Sequence, residues 1–312
     1  MAVYIVRRFL YAIPVLFGVS ILVFSMLLLI PGDPVSLMLS ETSATSKAAV
    51  EAKRDQLGLN DPIYDQYGRF LKSVVTLRLG TSIQTNRSVG SMIRDVFPKT
   101  LELTVAATLL TFLIGVPLGV IAAVKQHSLL DTASMILANV GVSMPIFWLG
   151  LILIYIFSIK LGWLPVTAQK GADLKHLVMP AVSLALGGAG IVARLTRSSL
   201  LEVLNLEYVV TARAKGLSAR VVVTRHALRN ALIPVVTIVG LQFGSLLGGA
   251  VIVEAVFARQ GIGAMAVNAI QKKDFPLVQG TVLVAAFAYV IANILVDISY
   301  AFIDPRIKYG ER

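Results

Sequence analysis

The chain has 312 residues, of which 56% are hydrophobic and 14% charged. Soluble domains carry about 25% charged residues, so this balance argues against an ordinary soluble domain and predicts an all-α integral membrane protein. The 28 Lys+Arg against 17 Asp+Glu give a net charge of +11. Those charges sit between apolar runs, as membrane orientation requires, and do not form the basic face that nucleic-acid backbone binding needs. With no cysteine, disulfides, thiolate catalysis and Cys-type metal sites are excluded.

A membrane-crossing helix needs about 20 mostly apolar residues. Six stretches free of Asp, Glu, Lys and Arg meet this: Phe9–Ile30, Leu103–Val124, Thr132–Ile159, His176–Ala193, Asn230–Val253 and Phe275–Val296. They contain Pro14, Pro117, Pro145, Pro180, Pro234 and Pro276, tolerated where neighbouring helices re-satisfy the backbone. The first is read as a retained span: Arg7 and Arg8 precede it, and Pro31-Gly-Asp-Pro34 follows in place of a small-residue cleavage site. Lys/Arg bias puts the N-terminus in the cytoplasm. Six spans return the 304–312 tail to the same side.

Segment 31–99 is too long for a connector and is expected to be an extracytoplasmic subdomain. Helices are expected around Ala48–Leu57 and Gln66–Leu77, with boundaries at Pro62, Gly80 and Pro98. A transmembrane core over 100–303 follows, interrupted by a basic cytoplasmic loop over 201–230. Within that loop Tyr208, Ala212 and Lys215 are spaced along one helical face, Gly216 is placed to end a short helix, and Ser218 to cap the next. Such a helix, held at both ends by spans, suits a mechanical contact. A basic helix lying on anionic lipid fits the same residues equally well.

Other chemistry is missing. No Gly-Lys dipeptide exists for a phosphate-cradling loop, and His127, His176 and His226 lack metal-ligand spacing. No ionisable residue falls near the middle of a span, against an ion-driven carrier. Of the acids at span ends, Glu254 and Asp297, the latter is expected to be the buried one, bonded to a neighbouring helix. Asn139, Ser143, Gln242, Ser245 and Asn293 are polar residues inside spans; such groups join helices or line a path. Pro145-Ile-Phe-Trp148 reads as a kink whose aromatics pack.

In order along the chain, Pro31-Gly-Asp-Pro34, Ser143-Met-Pro-Ile-Phe-Trp148, Arg194-Leu-Thr-Arg197, Tyr208–Leu217 (YVVTARAKGL), His226–Pro234 (HALRNALIP), Gly261-Ile-Gly263 and Asp304-Pro-Arg-Ile307 resemble the dipeptide/oligopeptide permeases of ATP-binding-cassette importers, a group that includes glutathione and nickel permeases. The resemblance implies a type I importer permease fold with six transmembrane helices. It also implies a non-catalytic subunit that pairs with a second homologous permease, two cytoplasmic ATPases and an extracytoplasmic binding protein. It places ATP and Mg on the ATPases and no cofactor on this chain. The ATPase-coupling loop would be Glu207, Tyr208, Thr211, Ala212, Arg213, Ala214, Lys215, Gly216 and Leu217. Ala212 and Gly216 match the general importer pattern, whereas Val210 stands in place of its usual Glu. Substrates implied are dipeptides or oligopeptides, then glutathione, nickel complexes or sugars.

Overall fold

The computed structural model describes residues 2–29, 51, 54–55, 60–167 and 174–303. The expected helix at Ala48–Leu57, most of it, and the motifs at Pro31–Pro34 and Asp304–Ile307 lie outside these residues. Every regular element among them is helical, apart from one isolated bridge between Thr81 and Ser88. The helices are α1 (Ala2–Leu29), α2 (Ile63–Val75), α3 (Val89–Val124), α4 (Leu129–Ser143), α5 (Ile146–Lys160), α6 (Lys175–Leu204), α7 (Glu207–Ala214), α8 (Ala219–Leu247), α9 (Val251–Val256), α10 (Ile262–Gln271) and α11 (Phe275–Ile303).

Five of these, α1, α3, α6, α8 and α11, are long and apolar enough to cross a membrane. The expected third span is broken: α4 and α5 meet at 103°. Proline disfavours a helical conformation in the residue before it, and Met144 is extended (φ −77°, ψ 130°), as is Pro145 itself (φ −60°, ψ 131°). The expected boundary at Pro98 is also corrected. Pro98 lies inside α3, which begins at Val89, so the second span grows out of a helix starting well before Leu103. The fifth stops at Leu247, short of Val253, because Gly249 turns to φ +112°. The boundaries at Pro62 and Gly80 hold: Pro62 precedes α2, and Gly80 sits at φ +83°.

The centre of the fold is α3, α4 and α6 packed backbone to backbone. A Cβ on Gly119 would lie 2.5 Å from the Ala193 carbonyl oxygen, and one on Gly141 2.7 Å from that of Leu186. A side chain at Gly190 would overlap the Ala138 carbonyl. Without a hydrophobic drive between helices in lipid, such close approach of small residues is what holds spans together. The flank is looser. α1 meets α11 through Ala12, Val290 and Ile294, while Phe9, Leu10, Ile13, Phe17 and Leu22 stay exposed, as expected of a lipid-facing helix. α2 lies on α1, where Tyr67 stacks edge-on against Phe24 at 5.3 Å and shares a 2.7 Å hydrogen bond with Ser20.

Candidate functional site

The loop between α6 and α8 is built from the top of the central block. α7 buries Val209 (0% exposed) and Ala212 (7%) against Leu200, Val203 and Leu204 of α6, Ala123 of α3, and Val222, Ala227 and Ala231 of α8. Its first residues are tied across to α8: the Tyr208 hydroxyl accepts from Asn230 Nδ2 at 2.7 Å and donates to the His226 carbonyl oxygen at 3.5 Å. His226 lies in a stretch of π-helix, 222–227. Gly216 ends the loop helix at φ +80° with open space where a Cβ would stand. Ser218 occupies the cap position of α8, yet its side chain makes no capping hydrogen bond.

Burial reassigns one face. Ala212 does not share an outward face with Tyr208 and Lys215; it pairs with Val209 at i, i+3 spacing on the inner side. Its small size is therefore required by this chain's own packing. The outer surface carries Tyr208 (41% exposed), Val210 (52%) and Leu217, with Glu207, Thr211, Arg213, Ala214, Lys215 and Gly216 also exposed. The loop thus offers exposed apolar side chains together with exposed Arg213, Lys215, Arg220 and Arg225, on a helix packed from beneath.

A clamp lies beside it that the sequence reading missed. Arg197 on α6 makes a two-pronged pair with Asp131 on α4, Nε to Oδ1 and Nη2 to Oδ2, both 2.7 Å. Asp131 also accepts from the His127 backbone N–H at 3.1 Å, and the Ser128 hydroxyl caps α4. An Asp three residues after a Ser, at the start of an apolar run, was the available signal.

At the other end of α3, Glu254 is the buried acid (1% exposed), whereas Asp297 is partly open and pairs with Arg8 of α1 at 2.9 Å. The expectation for the more buried of the two is therefore reversed, because the chain folds back over Glu254 after the break at Gly249. The Glu254 carboxylate accepts from Thr100 Oγ1 at 3.1 Å and from the Ala264 N–H of α10 at 2.8 Å. Burial pushes its pKa above the usual carboxylate range. Gly261 has no side chain because a Cβ there would overlap the Glu254 carboxyl group. Asp274 works similarly, accepting from Ser82 Oγ at 2.5 Å and Ile83 N–H at 3.2 Å. Between these acids lies a cavity of about 560 Å³, with Arg259, Gln260, Asn268 and Lys272 in its wall.

The five in-span polar residues are spread over three helices. Asn139 and Ser143 on α4 and Ser245 on α8 are exposed on the surface of the chain. Gln242 faces Gly188 of α6, and Asn293 faces Gly244 with its buried Oδ1 unpartnered. Phe147 and Trp148 do not pack inside the bundle. The 103° turn carries them outward, where they and Ser143 line an open cleft of about 440 Å³. Among the described residues no three His, Cys, Asp or Glu side chains gather as metal ligands.

Comparison with known proteins gives this geometry its context. Residues 115–309 match the family described as binding-protein-dependent transport system inner membrane component, and residues 1–104 match the corresponding N-terminal family. The chain is 42% identical to the dipeptide transport system permease protein DppB of Alkalihalophilus pseudofirmus, covering 99% of this chain and 100% of that one. Identity is 41% to the glutathione transport system permease protein GsiC of Escherichia coli, over 98% of this chain and 99% of the relative. Among solved structures, the inward-facing MetNI methionine ABC transporter matches with a TM-score of 0.56 at 22% identity, covering 68% of this chain and 96% of that chain. An amino acid ABC transporter matches at 0.52 and 17% identity, over 69% and 94%. At those identities the likeness speaks for the fold. The near-complete family match settles the rest: this chain belongs to the multi-pass inner-membrane components of binding-protein-dependent transport systems, as a permease subunit and not a catalytic one.

Proposed function

We propose that the chain is the permease of an ATP-driven importer that moves dipeptides or oligopeptides inward by alternating access. Names of the relatives favour peptides, with glutathione, itself a peptide, as the second reading. The carrying observation is α7. Its inner face is packed against its own chain, and its outer face leaves Tyr208, Val210 and Leu217 exposed. That surface suits a groove on a cytoplasmic ATPase, whose closure on ATP and Mg would push α7 and bias the permease between two packed states. Glu207 to Leu217 form the contact in this reading, with a second homologous permease, two ATPases and an extracytoplasmic binding protein completing the assembly. Asn139, Ser143, Gln242, Ser245 and Asn293 are candidates for the path, and segment 31–99 is the ledge for the binding protein.

The topology follows, with both termini in the cytoplasm. Because the chain lacks cysteine, Thr85→Cys should react with an impermeant thiol reagent in intact cells and Ser218→Cys should not; the reverse pattern sinks it. The coupling role is read by Val210→Glu and Leu217→Glu, which leave the inner face untouched. Both should reduce ATPase co-purification and peptide uptake together at unchanged permease level. Normal attachment in both variants would leave α7 as a helix lying on lipid.

A further inference from the structure

Two elements, α4 and α6, are joined by an ion pair as well as by packing. α4 leads from the α3–α4 turn to the break at Met144-Pro145, and α6 leads directly into α7. Along their length they touch through small residues, Gly141 and Ala138 against Leu186 and Gly190. Where they reach the loop, one side-chain pair bridges them, Asp131 with Arg197. Both oxygens of the carboxylate are used. Both carboxylate oxygens accept from the guanidinium at 2.7 Å, and Oδ2 also takes the His127 N–H. Asp131 is buried and the Arg197 side chain is 27% exposed; the two-pronged, charge-assisted geometry makes the pair stronger than a single-point contact. A planar guanidinium bound at two points resists rotation, which a lysine at one point does not.

We infer that Asp131 and Arg197 are positioning residues which make α4 move with α6 and α7. A displacement at the loop helix is then carried along α4 to the Met144-Pro145 break, where α4 shifts against α5, itself held by α9 and by the far end of α6 through Leu153, Ile154 and Phe157. The break is the place for it, since its two extended residues carry no helical hydrogen-bond ladder across the 103° turn. The cleft there, with Ser143, Phe147 and Trp148 in its wall, is the surface that such a movement would alter. This inference rests on the proposed role of α7 as the ATPase contact.

The test is made on the reconstituted importer with its ATPases and binding protein. Asp131→Asn is expected to keep ATPase co-purification at the wild-type level while peptide uptake per ATP hydrolysed falls at least several-fold. Arg197→Lys, which keeps the charge and one prong, should fall between it and wild type and serves if Asp131→Asn does not accumulate. The exchanged pair Asp131→Arg with Arg197→Asp should regain part of the lost ratio. A wild-type uptake-to-hydrolysis ratio in either single variant overturns the inference. If the unsubstituted chain fails to hold the ATPase at all, the reading of α7 fails instead, and the two results are separable.

Discussion

The two ends of α3 combine aliphatic packing with buried polar pairs in different ways. Thr100 and Ala123 stand about 35 Å apart along it at 1.5 Å per residue, close to the thickness of a bilayer's hydrocarbon core. At the Thr100 end, buried carboxylates do the joining: Glu254 binds α3 and the start of α10, and Asp274 binds the 82–83 turn. At the Ala123 end, α7 is seated on aliphatic side chains, with Asp131–Arg197 beside it. Hydrogen bonds to a buried charge are directional and fail steeply when geometry changes. Aliphatic contact is less directional, though in so closely packed a seat it still resists a change of volume. The Thr100 end is thus fixed mainly by side-chain acceptors within loops, and the Ala123 end by aliphatic contact beside one two-pronged ion pair.

Substitutions at the two ends should therefore behave differently. The largest effect is expected from Glu254→Ala, which strands Thr100 and the Ala264 N–H in a buried site. The cost is roughly 3 kcal/mol, read as a lowered thermal midpoint in detergent and reduced accumulation. Glu254→Gln keeps an acceptor and should lose clearly less; equal losses would mean that the cavity, not the hydrogen bonds, sets the cost. Next is Ala212→Trp. Overpacking the inner face of α7 should cost about 1–3 kcal/mol and displace the helix, so that ATPase attachment falls along with stability. An unaltered thermal midpoint in that variant would contradict the inward placement of Ala212.

Gly216→Val is smaller in stability terms and cleaner in cause. Nothing lies within 4 Å of the position a Cβ would take, and φ is +80°, so the penalty is backbone strain alone, about 1 kcal/mol or somewhat more for a β-branched residue. Asn at 216 tolerates that conformation better and should recover most of the loss in transport; failure to do so would point to a contact with a partner. The smallest effect is expected from Tyr208→Phe, which removes the hydroxyl between Asn230 and His226. About 1 kcal/mol or less should appear as faster amide exchange in 207–214 with the global midpoint nearly unchanged.

Much of this architecture was readable in advance. Charge-free apolar runs identified the membrane class, since the bilayer imposes a length and a polarity that few other settings demand. Gly216 was legible as a helix end because a positive φ has few residues to choose from. The inner and outer faces of α7 were not, because an eight-residue helix with apolar residues on several sides has no face until neighbours supply one. Val209 and Val210 are alike in type, and one is fully buried while the next is half exposed. Glu254 was passed over for a related reason: an acid after an apolar run looks like a span end until the chain folds Gly261 back over it.

Proline makes the division plainest. Pro14, Pro98, Pro117, Pro180 and Pro234 all lie inside continuous helices, whereas Pro145 sits at a 103° break. The local signal, a missing N–H and a crowded preceding residue, is the same at each. By itself the sequence determined where the backbone was weakened, and through its apolar runs it determined that the chain spans a membrane. Which weak point became a break was decided by packing. Beyond Ser143 the chain turns to pack on the start of α6, at Leu177, Met179 and Ala181, and beside α9, where Gly150 meets Val256 and Phe257, and that path demands a turn that a continuous helix does not make.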